Sequence, residues 1–255
     1  MIVFLLPDSE YDPTEAAVPW ATLHDAGIEV RFATPTGEPA YADPRLTEQG
    51  FSLLSPLLMT RHAGLAAYER MRRDPHFLAP QPYTAVTLDS IGGVFVPGGH
   101  APGMKSMMES TAAQRIFAHA ITSGLPTGAV CHGVLLAARA RDPLTGRSVL
   151  YDRDTTAVTA LMELTAWNLT RAWLGSYYRT YPTTVQAEVT AALRNPKQFH
   201  RGPLIPRRDT PAHPERGFTV RDGNYISGRW PGDCHRLAGE FRDMILAHDQ
   251  TEQPI

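Results

Sequence analysis

The feature that most constrains this chain is an alternation of short apolar, β-rich runs with stretches of helical spacing. That alternation is the signature of a parallel sheet covered by helices, because parallel neighbours need a crossover connection and a helix usually supplies it. Residues 2–6 read as a first strand, 14–26 as a helix with an early kink at Pro19, and 28–33 as a second strand, with Gly27 capping the helix between them. The run GGVFVPGGH (92–100) reads as a buried strand entering a glycine-rich turn. A helix over 112–123, a strand over 125–130 and a helix over 131–140 follow. TAVTALM (156–162) reads as another strand, 163–195 as mostly helical with Trp167, Trp173, Tyr177, Tyr178 and Tyr181, and 200–217 as a polar, Pro-rich loop. The segment FTVRDGNYISGRWPGD reads as a hairpin through Asp222-Gly223, before a C-terminal helix from 234 to about 247. The expected fold is α/β: a three-layer sandwich with a mostly parallel central sheet. With 255 residues the expectation is one domain over 1–255, carrying insertions or cap regions at 36–90 (with one helix near 65–73) and 163–217.

Composition removes several function classes. A formal net charge of −2 gives no electrostatic reason for nucleic acid or an anionic membrane as partner. The opening MIVFLLPDSE lacks a basic flank and its apolar run ends at Pro7, while the longer run 118–138 is interrupted by His119, Gly124, Pro126, Cys131 and His132. Neither reads as a leader or a span. Two cysteines 103 positions apart form no disulfide framework and no zinc spacing, which favours a reducing, cytoplasmic setting. Lys105 and Lys197 are the only lysines, so Schiff-base chemistry has few candidates.

The chemistry concentrates on Cys131. In open parallel sheets, sites form at the carboxyl ends of strands. The run Ala129-Val130-Cys131-His132-Gly133 follows a strand and opens a helix, with small residues two before and two after the thiol. A sharp elbow needs such neighbours, and a helix start favours a thiolate. On spacing alone, an elbow nucleophile and a buried core thiol stand level. The nearby Pro97-Gly98-Gly99-His100 tips the balance, because glycine N–H groups can face a developing oxyanion without a side chain in the way.

Together, "VFVPGGH", "AVCHG", Glu15 in the helix after the first strand and "ISGRWPGD" resemble the PfpI-like (DJ-1) superfamily, which has the class I glutamine amidotransferase-like, flavodoxin-like fold. The resemblance implies that Cys131 is the nucleophile and His132 its neighbouring histidine. It makes Glu15 the acid facing the thiol, and Gly98, Gly99 and His132 the oxyanion donors. For a third, acidic triad member it points about thirty residues on, where Glu163 fits best, with Asp152 and Asp154 as rivals. His100, Arg229 and Trp230 are expected to contact substrate. The implied activity is glyoxalase III-like, converting a small 2-oxoaldehyde to a 2-hydroxy acid without a cofactor. The alternatives are a related hydrolase, amidase or hydratase, and a holding chaperone or redox sensor. A homodimer is implied by the same analogy. Two features are set aside: His213-Pro214-Glu215 copies an amidotransferase motif but lies in a loop, and the ten histidines show no metal-ligand spacing. Cys234 reads as a core or interface thiol.

Overall fold

The computed structural model describes the backbone of residues 1–252, three residues short of the 1–255 span assigned from sequence. Its centre is a seven-stranded sheet in the order β5-β3-β1-β6-β7-β9-β8. The strands are β1 (Ile2–Leu5), β3 (Val30–Thr34), β5 (Gln81–Pro82), β6 (Gly93–Val96), β7 (Thr127–Val130), β8 (Thr219–Asp222) and β9 (Tyr225–Gly228). All neighbours are parallel except β8 and β9, which form the antiparallel hairpin read from sequence. A second, two-stranded sheet pairs β2 (Ser9–Tyr11) with β4 (Tyr41–Ala42).

Among the described residues, seven helices of six or more residues accompany these strands: α1 (Pro13–Asp25), α2 (His62–Met71), α3 (Thr111–Thr122), α4 (Val134–Arg139), α5 (Ala160–Leu174), α6 (Val185–Ala192) and α7 (Cys234–Glu252). α1 packs on α2 and α7, while α4 packs on α3 and α6. Every residue of β1, β6 and β7 is buried, as expected of strands covered on both faces. Phe4 stacks on Phe95 at 4.9 Å and meets Phe32 edge-on at 5.8 Å, and Phe241 of α7 closes on Phe95 at 5.4 Å. This aromatic layer fixes the register Phe4↔Phe95 between β1 and β6, which sets the carboxyl ends of the two strands side by side. The pair Val96↔Ala129 does the same for β6 and β7. Among the described residues no helix is long and apolar enough to cross a membrane.

Two readings from sequence change. Residues 156–162 are not a strand. Thr155 makes one bridge, to Phe199, and Thr156 bonds the Ser227 hydroxyl and the His200 carbonyl. Thr159 then caps α5 by accepting from the Met162 amide at 3.3 Å, so the apolar residues 160–162 become the first turn of a helix. The helix expected over 131–140 starts instead as a 3₁₀ turn, Cys131–Gly133, which bends the chain before α4 begins.

Candidate active site

The site assembles at the carboxyl ends of β1, β6 and β7. Asp12 starts α1: its side chain accepts from the Thr14 and Glu15 amides at 2.8 and 3.2 Å, and Pro13 occupies the first helical position. This places Glu15 in the first turn with its side chain fully buried. At the end of β6 the Gly98 N–H donates to Glu15 Oε2 at 2.8 Å. At the end of β7, Cys131 adopts φ +57°, a left-handed conformation that costs an L-residue energy and is typical of a strained elbow. Glycine is required on both sides of this turn. A Cβ on Gly98 would lie 2.7 Å from Glu15 Oε2, the His132 N and the Val130 O, and one on Gly133 would lie 2.4 Å from the Pro97 O.

The Glu15 carboxyl faces the Cys131 thiol. Burial is the main cause that raises the proton affinity of both groups; the Glu15 charge adds to it for Cys131, and the Asp12 charge adds to it for both. Hydrogen bonding works the other way on Glu15, where contacts with the thiol and the Gly98 amide stabilise the carboxylate. Both groups therefore hold a proton more tightly than they would in water, with the carboxyl placed where it can exchange one with the thiol. His132 Nδ1 lies 3.6 Å from Cys131 Sγ. Burial, followed by the neighbouring His100, Arg179 and Arg139, lowers the His132 pKa, so its imidazole is neutral and able to accept a proton. The His100 ring packs on that of His132 at 4.4 Å, and burial lowers the His100 pKa to about 4. One ligand atom each of His100, Cys131 and His132 fall within 4.8 Å of one another, a soft donor set that suits zinc or copper.

Cys131 itself is fully buried, and a cavity of about 520 Å³ opens beside the site. His100, Asp12 and Trp230 lie on its wall, with α5, Phe51, Tyr178 and the 204–208 loop around them.

A family model described as ThiJ/PfpI family-like matches residues 6–203. The chain belongs to this family. An uncharacterized protein of Schizosaccharomyces pombe is 34% identical over 108 residues, which cover 42% of this chain. The matched segment spans only 39% of that protein's length. Two solved structures share the fold at low identity. Glyoxalase III from Candida albicans has a TM-score of 0.68 at 18% identity, covering 96% of this chain and 97% of its own. The Rapid Encystment Protein of Francisella tularensis has a TM-score of 0.68 at 12% identity, covering 96% and 98%.

Within this ThiJ/PfpI-like framework the residues read from sequence separate into two groups. Cys131, His132, Glu15, Gly98 and His100 come together. Gly98 spends its N–H on Glu15, and the His132 backbone N–H is directed at the Cys131 sulfur. Gly99 has φ +159°, where a Cβ would crowd the Glu10 carbonyl and Met104 at 3.0 Å. Glu163 does not join His132: its oxygens hold Arg179 and, at 2.8 Å, the Val185 amide, tying α5 to α6. The rivals are also elsewhere, Asp152 paired with Arg194 and Asp154 with His200, all on the exposed surface. Arg229 is turned inward. It is 1% exposed and locked to Asp233 by bonds of 2.9 and 3.0 Å, so it supports the end of β9 rather than the cavity. Trp230, the next residue, lines the cavity. Cys234 is buried near the Trp230 carbonyl, and burial keeps its thiol protonated. His213 bonds Glu215 within an exposed turn, away from the thiol.

Sequence reasoning missed three contributors. Asp12 carries a cap signal, an acid directly before a proline, that was available to read. The network in which Tyr177 binds Glu10 at 2.8 Å and Tyr178 binds Asp43 at 2.7 Å joins segments more than 130 positions apart and leaves no local signal. Arg208, on the cavity wall, sits in a loop with no periodicity at all.

Proposed function

We propose that the chain is a cysteine-dependent enzyme acting on a small electrophilic carbonyl compound, with a glyoxalase III-like conversion of a 2-oxoaldehyde to a 2-hydroxy acid as its reaction. The observation that carries this reading is Cys131 at φ +57° on a strand-to-helix elbow with the Glu15 carboxyl set against its thiol. A merely structural thiol has no need of a strained backbone or of a buried acid beside it. The likeness in fold to a glyoxalase III adds weight to the choice of reaction.

The steps follow from the groups present. Glu15 takes the thiol proton and the thiolate attacks the aldehyde carbon. As the C–S bond forms, the C=O π pair moves onto oxygen, which accepts hydrogen bonds from the Gly99 and His132 N–H groups. Protonation gives a hemithioacetal. His132 removes the remaining proton from the former aldehyde carbon, and the electron pair forms an enediol with the adjacent carbon. Reprotonation of that adjacent carbon yields the thioester of a 2-hydroxy acid. Water then cleaves the thioester, releasing the acid and restoring the thiol. One carbon is oxidised and its neighbour reduced, so the sequence is redox-neutral. Cys131 is fully buried, and His100, which packs on His132, lies on the cavity wall, so a turn of the His100 ring opens a path from the cavity toward the thiol. The partner is thus a small molecule, and a homodimer accords with the family analogy.

The test is consumption of methylglyoxal and phenylglyoxal with detection of the 2-hydroxy acid. The wild type produces it, while Cys131→Ala and Glu15→Gln lose production by two orders of magnitude or more. Equal production by all three proteins overturns the reading.

A further inference from the structure

The cavity beside His100 is large and apolar for a substrate as small as a triose aldehyde. Its volume of about 520 Å³ falls in the range that takes drug-sized ligands, roughly 300–1,000 Å³. Its wall is mainly hydrocarbon, including Leu46, Phe51, Val158, Met162 and Leu169. The apolar character continues to the mouth, where Leu57, Leu161 and Leu204 line the cavity while more than half exposed.

Two charged side chains, Asp12 and Arg208, interrupt this surface. The Arg208 guanidinium lies over the Trp230 ring, 4.7 Å from its centroid, and makes no hydrogen bond or ion pair with protein groups among the described residues. Burial opposes its charge, and four groups act on it from neighbouring segments: Asp12, Cys234 and Asp209 favour the charge and Arg61 opposes it. Neither acid is bonded to it. Asp12 accepts from two helix amides and Asp209 Oδ2 accepts from the Arg236 amide at 2.9 Å. Five N–H donors, partly stripped of water, are left facing a greasy chamber. The Trp230 Nε1–H, buried and without a partner, adds a further donor on the same wall.

We infer that the substrate is an apolar 2-oxoaldehyde that also carries a carboxylate: its hydrocarbon body fills the cavity, its carboxylate is held by Arg208 over Trp230, and its aldehyde carbonyl lies toward His100 and Cys131. Asp12 also lies on the cavity wall, and its charge acts on Arg208 as well as on Glu15 and Cys131. A guanidinium over an indole face suits a planar carboxylate, which it can grip with two parallel bonds. The apolar walls set the chain length, each buried methylene being worth up to about fourfold in affinity.

This substrate assignment rests on the proposed carbonyl chemistry, but the cavity can be tested without turnover. Isothermal titration of the wild-type protein with decanoate, hexanoate and 1-decanol supplies the probe. Decanoate binds, with hexanoate and 1-decanol each at least about tenfold weaker. Arg208→Gln brings decanoate down to the level of 1-decanol and leaves 1-decanol unchanged, whereas Arg208→Lys keeps most of the preference for the acid. Ala166→Phe, which fills the cavity from α5, abolishes binding of both ten-carbon probes. Equal affinity for decanoate and 1-decanol overturns the carboxylate assignment, and no binding of either by a protein of normal melting temperature overturns the cavity assignment. If decanoate binds as expected and no 2-oxoaldehyde is turned over, the carbonyl chemistry fails while the ligand assignment stands.

Discussion

Replacing Asp12 with asparagine separates two jobs that one residue performs. As the cap of α1 it accepts from the Thr14 and Glu15 amides, and asparagine caps a helix equally well. As a buried carboxylate it is costly, since burial raises its pKa from 3.8 to about 6. An acid whose folded pKa is raised holds its proton longer in the folded state. It therefore favours folding fully below pH 3.8, and that contribution is lost as pH rises through 6. A rise of about two units corresponds to roughly 3 kcal/mol. Asp12→Asn should thus stabilise the protein by up to about 3 kcal/mol at pH 8 and by almost nothing at pH 3.5. For a chain of this size that is a rise in Tm of roughly 6–12 °C at pH 8. Differential scanning calorimetry at both pH values reads it. The same change removes a charge that raises the Glu15 and Cys131 pKa values, so the ascending limb of the pH–rate profile moves to lower pH. An equal effect of the substitution at both pH values, or a loss of stability at pH 8, would refute the reasoning.

Three further outcomes follow from the geometry. Gly98→Ala puts a methyl group 2.7 Å from Glu15 Oε2 and the His132 amide, and turnover should fall on the order of a hundredfold in steady-state assays; unaltered kcat/KM would show that these atoms need not hold their places. His100→Ala removes the wall between cavity and thiol, so iodoacetamide should label Cys131 roughly tenfold faster by mass spectrometry, and an unchanged labelling rate would mean that the thiol is reached by another path. Arg229→Ala leaves Asp233 buried without its partner and should cost about 3–5 kcal/mol in urea unfolding, whereas Arg229→Lys, which keeps a positive charge beside Asp233, should cost less; equal losses would contradict a role for the ion pair at the end of β9.

The core of the site was legible because its chemistry is local. The elbow around Cys131, the glycines at 98 and 99 and the strands that deliver them form contiguous runs whose pattern carries the geometry. The central sheet was legible for the same reason, since β1, β6 and β7 are continuous apolar stretches bounded by turns. Residues 156–162 read wrongly because β-branched residues suit a strand, yet a threonine cap and side-chain bonds to Ser227 and His200 claimed the segment. Glu163 attracted attention by its spacing from Cys131, but helix α5 turns it toward Arg179. Arg229 and Trp230 are adjacent in sequence and opposite in fate: one side chain goes into the ion pair behind β9, the other onto the cavity wall. The cavity was not legible, because α5, the 204–208 loop and the segment around Phe51 meet only in three dimensions.

The most direct test of the central claim is the mass of the protein caught during turnover. Wild-type enzyme mixed with excess phenylglyoxal, acid-quenched within one turnover and digested should carry one substrate-derived adduct on the peptide containing Cys131, absent from Cys131→Ala. Product formation with no adduct at Cys131, or the same adduct pattern in the alanine variant, would contradict a covalent role for this thiol.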